Sequence, residues 1–115
     1  MAQVEIQERQ AGDVTILDLD GKVTIGEGST ALRSAIRRLA EEGKKKILLN
    51  LQNVNYMDST GLGELIASYT TVSRDGGQLK LLQLSGKIQD LLVITKLLTV
   101  FDVYDSEADA LSAFK

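Results

Sequence analysis

The sequence has 115 residues, of which 43% are hydrophobic and 25% charged, with a net charge of −3. That length and balance favour one soluble globular domain over residues 1–115, large enough to bury a core without staples. There is no cysteine and no histidine, which excludes a disulfide framework, Cys- or His-based zinc sites, and Ser-His-Asp or Cys-His catalysis.

In chain order, Val4 and Ile6, then Val14, Ile16, Leu17 and Leu19, form two apolar runs separated by Gln10-Ala11-Gly12-Asp13. Alternation around a Gly-Asp turn predicts a β-hairpin. Asp20-Gly21 is expected to end its second strand, and Lys22-Val23-Thr24 leads into the loop Gly26-Glu27-Gly28. From Ser29 to Glu42 the period changes: Leu32, Ala35, Ile36, Leu39 and Ala40 fall at helical spacing. Ser29 is the expected N-cap and Gly43 the C-terminal glycine. The continuous apolar run Ile47-Leu48-Leu49-Asn50-Leu51 suits a strand covered on both faces.

A second helix is expected from Thr60 to about Arg74, with Leu62, Leu65, Ile66, Tyr69 and Val72 as its stripe. Asp75-Gly76-Gly77 stops it, and Leu79, Leu81, Leu82 and Leu84 read as the next strand. Lys87 to Leu98 reads as a third helix, Val100 to Tyr104 as a short strand, and Glu107 to Phe114 as a terminal helix capped by Asp105 or Ser106. Alternating strands and helices after a hairpin predict an α/β fold: a mostly parallel central sheet, an N-terminal antiparallel hairpin and about four helices.

The segment Asn53 to Gly63 joins a buried strand to a helix and is expected to be a loop at a strand's carboxyl end, where ligands and partners dock in open α/β sheets. Ser59 or Thr60 would cap the helix. Gly61 and Gly63 each cost about 1 kcal/mol in a helix relative to alanine, so something must come close to the backbone there. A plain capped helix start accounts for each residue singly. It leaves unexplained an acid, two hydroxyls and two glycines within six residues.

Tyr56-Met57-Asp58-Ser59-Thr60-Gly61-Leu62-Gly63 resembles the signature loop of STAS domains, found in bacterial anti-sigma-factor antagonists and in sulfate-transporter tails. The likeness extends to Ile47–Leu51 before it, to Gly76-Gly77-Gln78-Leu79-Lys80-Leu81 after it, and to Leu84 through Leu92. It implies the STAS fold and a switch that is not an enzyme and has no catalytic residue. In such antagonists the serine after the aspartate, here Ser59, is phosphorylated, with Thr60 a secondary candidate. The unmodified protein binds an anti-sigma factor that is itself a serine kinase, freeing the sigma factor. Phosphorylation breaks the complex, and a serine phosphatase restores it. The partner-binding residues implied are Asp58, Ser59, Thr60, Gly61, Leu62, Gly63 and Thr24. Thr24 stands where antagonists often carry an acid, three places after Gly21.

Other features carry less. Gly26-Glu27-Gly28 lacks the remaining spacing of a phosphate-binding loop and reads as a plain loop before a helix. Arg33, Arg37 and Arg38 with Lys44-Lys45-Lys46 read as a solvated face and gatekeeper charges. The scattered acids suggest no metal site, and no cofactor is implied. The negative charge argues against direct nucleic-acid binding. No stretch suits a signal core or membrane insertion, so a cytoplasmic location is expected. The alternative functions are a STAS scaffold subunit of a signalling assembly and an accessory subunit of a transporter.

Overall fold

The computed structural model describes residues 4–115. Strand β1 (Val4–Ala11) and strand β2 (Val14–Val23) pair antiparallel through a two-residue turn. Gly12 opens that turn at φ 61°, the positive value that a type II′ hairpin asks of its first turn residue. The expected break at Asp20-Gly21 does not occur. The strand runs through it to Val23, with register shifts against its neighbour at Asp18/Asp20 and Gly21/Lys22. Gly21, at φ 123°, takes the backbone distortion that would otherwise end the strand.

Helix α1 (Glu27–Glu41) follows, then strand β3 (Lys46–Met57), helix α2 (Ser59–Arg74), strand β4 (Gln78–Leu82), helix α3 (Gly86–Ile94), strand β5 (Val103–Tyr104) and helix α4 (Glu107–Ala113). The N-cap of helix α1 is Gly26, three residues before the expected Ser29, and it makes no side-chain capping bond. Ser29 is instead a buried helical residue. Helix α3 is capped by Ser85 and ends at Ile94, short of Leu98, and β5 is only two residues long. The α3–β5 connection turns through Lys96 at φ 62°.

The sheet order is β1-β2-β3-β4-β5, with every pair after the hairpin parallel. Crossovers of one hand that all advance in the same direction place their helices on one face. The main core accordingly joins Leu32, Ile36 and Leu39 of α1, Leu62, Leu65 and Val72 of α2, and Ile88 and Leu92 of α3 to the sheet. Among the described residues, only α4 covers the other face, where Ala110 packs with Val14, Ile16, Leu48 and Leu82. The run Ile47–Leu51 is thus buried from both sides, as its lack of alternation implies.

Strand β3 is longer than expected, and the difference positions the site. Its first half pairs with both neighbours, but pairing with β4 stops at Asn50↔Leu82. Pairing with β2 continues to Val23↔Met57. Asn53 to Met57, read from sequence as loop, is therefore strand, projecting with β2 beyond the rest of the sheet. The exposed Gln52, Asn53 and Asn55 hide the strand signal, while Val54 and Met57 are buried. The Ser85 hydroxyl, at the start of α3, donates to the Val54 carbonyl at 2.7 Å.

Candidate functional site

The projecting ends of β2 and β3 meet the first turn of α2. Asp58, not Ser59 or Thr60, is the N-cap of that helix, and its Oδ1 accepts from the Gly61 N–H at 2.8 Å. A carboxylate one residue earlier satisfies the first-turn donors and complements the positive end of the helix dipole, so neither hydroxyl is needed as a cap. Ser59 and Thr60 become the first two helical residues, both exposed.

The other carboxylate oxygen of Asp58 reaches across the chain. Its Oδ2 accepts from the Ile25 N–H at 2.9 Å. One side chain therefore ties the β2–α1 loop to the helix that carries Ser59. These amides hold the Asp58 carboxyl below its usual range, the Ile25 N–H contributing most and the Gly61 N–H next. The loop is further shaped by Gly26, at φ 97°, and by the Ser29 N–H donating to the Thr24 carbonyl at 2.9 Å.

The two glycines of the signature separate clearly. A methyl on Gly61 would lie 1.8 Å from the Val23 carbonyl oxygen, so the close backbone that this glycine admits belongs to the protein's own strand β2. Gly63 is exposed, with nothing within 4 Å of the corresponding position. Leu62 is 9% exposed and packs beneath the site into the main core. Below this turn, Arg33 of α1 donates from Nε and Nη2 to Glu64 of α2 at 3.2 and 3.0 Å. This pair keeps the two helices that frame the site in a fixed relation.

The residues expected from sequence, Thr24 and Asp58 to Gly63, thus fall at one end of the sheet around one carboxylate. Ile25 was not singled out, although it is 69% exposed and hydrogen-bonded to Asp58. Its only sequence signal is an aliphatic residue in an otherwise polar, glycine-flanked loop. A shallow cleft of about 440 Å³ lies elsewhere, lined by residues from Leu84 to Asp105, and none of the signature residues line it. Of the basic residues weighed from sequence, Arg33 pairs with Glu64, Arg38 with Glu8 and Glu42, and Lys46 with Asp13 at 2.7 Å.

The model of the STAS domain family matches residues 5–110. The chain belongs to the STAS domain family. A relative from Bacillus subtilis (strain 168), the anti-sigma-B factor antagonist, is 33% identical over 99 residues, covering 86% of this chain and 81% of the relative. The crystal structure of an anti-sigma factor antagonist from Mycobacterium paratuberculosis superposes with a TM-score of 0.85 at 20% identity, over 96% of this STAS domain and 93% of that chain. The Bacillus antagonist SpoIIAA matches with a TM-score of 0.72 at 18% identity in both its unphosphorylated and its phosphorylated form, over 94% of this chain and 96% and 97% of those chains. These last likenesses establish the STAS fold. The relatives from Paenibacillus polymyxa and Bacillus subtilis are both named as anti-sigma factor antagonists. Among the described residues, no helix is long and apolar enough to cross a membrane.

Proposed function

We propose that this STAS domain is a cytoplasmic anti-sigma-factor antagonist whose unmodified form binds an anti-sigma-factor serine kinase and is switched off by phosphorylation of Ser59. The observation that carries this reading is the placement of Ser59. It is the first residue of α2, exposed, and not consumed as the helix cap because Asp58 takes that role. A kinase can therefore reach the hydroxyl without opening the helix.

Phosphorylation adds a charge of about −1.5 to −2 at pH 7. The start of a 16-residue helix tolerates an anion through its dipole. The Gly61 amide is already held by Asp58, so the phosphate brings a second negative group beside an ionised carboxylate. The switch then acts by repulsion and bulk on the docking face while the fold stays intact. Restoration requires a serine phosphatase.

The test is intact-mass spectrometry after incubation with an active anti-sigma-factor kinase and ATP. One phosphate on the wild type and on Thr60→Ala, but none on Ser59→Ala, is the expected result. A wild type left unmodified, or a Ser59→Ala variant still carrying the phosphate, refutes the reading.

A further inference from the structure

Among the described residues, five large apolar side chains are exposed, and they form two groups. Val93, Ile94 and Val100 surround the end of α3, whereas Ile25 and Tyr56 flank Asp58 at the projecting ends of β2 and β3. The second group differs in how it is held. Ile25 is 69% exposed, yet its backbone is not left to solvent, since its N–H is bound at 2.9 Å by the carboxylate that also caps α2. On its other side the Gly26 carbonyl accepts from the Thr30 N–H at 3.1 Å, and the preceding Thr24 carbonyl accepts from the Ser29 N–H at 2.9 Å. An aliphatic side chain is thus displayed outward from a backbone fixed on both sides.

We propose that Asp58 is a positioning residue that fixes the β2–α1 loop to the start of α2, and that it thereby presents Ile25 beside Ser59 as an apolar anchor for the anti-sigma-factor kinase. This inference rests on the antagonist reading and names a specific contact within it. Ordering a loop and a side chain on binding costs conformational entropy, and a loop already held in the free chain avoids much of that cost. An exposed isoleucine becomes favourable only when covered, and the surface continuous with Ser59 is the one the kinase must approach. The partner is therefore expected to offer an apolar socket next to its contact with Ser59. A single carboxylate makes the two parts of the epitope move together.

The experiment has a partner-free arm and a binding arm. Asp58→Ser keeps a helix-capping hydroxyl for the Gly61 amide but is too short to reach Ile25 as well. In the free chain, amide hydrogen exchange should quicken about tenfold or more at Ile25 and stay near wild type through α2. In calorimetric titration with a kinase that phosphorylates the wild type, Ile25→Ala and Asp58→Ser should each raise Kd about tenfold, as loss of an anchor does, while Ile25→Val stays near wild type. Unchanged exchange at Ile25 overturns the positioning role. Wild-type binding by Ile25→Ala overturns the anchor role, as does a wild-type dimer that Ile25→Ala converts to monomer, since a second copy would then be the occupant. If the wild type neither binds nor is phosphorylated, the antagonist reading and the anchor role fall together, while the exchange arm still decides what Asp58 does.

Discussion

Two helix starts lie side by side at one end of the sheet, and they are built differently. Helix α1 begins at Gly26, without a side-chain cap, on a backbone turn that depends on glycine. Helix α2 begins at Asp58, whose carboxylate caps its own helix and also holds the loop that leads into α1. The first start is conformational and the second is electrostatic, and the second supports the first. Polar chemistry is therefore concentrated at α2, where Ser59 is exposed. The α1 side supplies shape and an apolar side chain.

The contrast can be broken most severely at Gly61. Gly61→Ala forces a methyl against the Val23 carbonyl and should cost about 3 kcal/mol, lowering the urea midpoint of unfolding. Two residues on, Gly63→Ala meets open space and should be neutral or stabilising by up to about 1 kcal/mol, because alanine favours the helix. Equal effects at the two glycines would contradict the close approach of β2 to α2. Gly26→Ala should come next, at about 1–3 kcal/mol, since only the backbone conformation and no contact opposes it. Circular dichroism during thermal unfolding measures this loss, which should not change with pH.

The α2 start should behave oppositely and respond to acid. Asp58 has a folded pKa below that of the unfolded chain, so the unfolded state binds more protons as pH falls. Its contribution is fully present above the ordinary carboxylate value of about 3.9 and is lost as pH falls through the depressed folded value. Asp18, lowered chiefly by Arg9, adds an acid-sensitive contribution of the same sign. Asp58→Ala should lower stability at pH 7, as loss of a helix cap does, and should flatten the decline in stability below pH 4. An undiminished slope in that variant would assign the acid sensitivity to Asp18 and the remaining carboxylates.

Much of this design was legible in the residues. The hairpin, the buried run Ile47–Leu51 and the stripes of α1 and α2 follow from period and turn chemistry, and the signature Asp58 to Gly63 was picked out by its density of unusual residues. Strand β3 from Asn53 to Met57 was not legible, because its exposed polar residues look like a loop until β2 is seen to pair with them. The cap of α2 was placed one or two residues too late. Three capping residues in a row, Asp58-Ser59-Thr60, are locally equivalent, and propensity alone does not choose among them.

By itself, then, the sequence determined the α/β class and the family signature, since these depend on local period and on residue types that lie adjacent along the chain. Tertiary structure decided which oxygen caps which helix, why Gly61 must lack a side chain while Gly63 need not, and that the Ile25 amide meets the Asp58 carboxylate. Each of these depends on β2 and α2 meeting across more than thirty residues of intervening chain, a contact set by sheet register and crossover direction that no local pattern encodes.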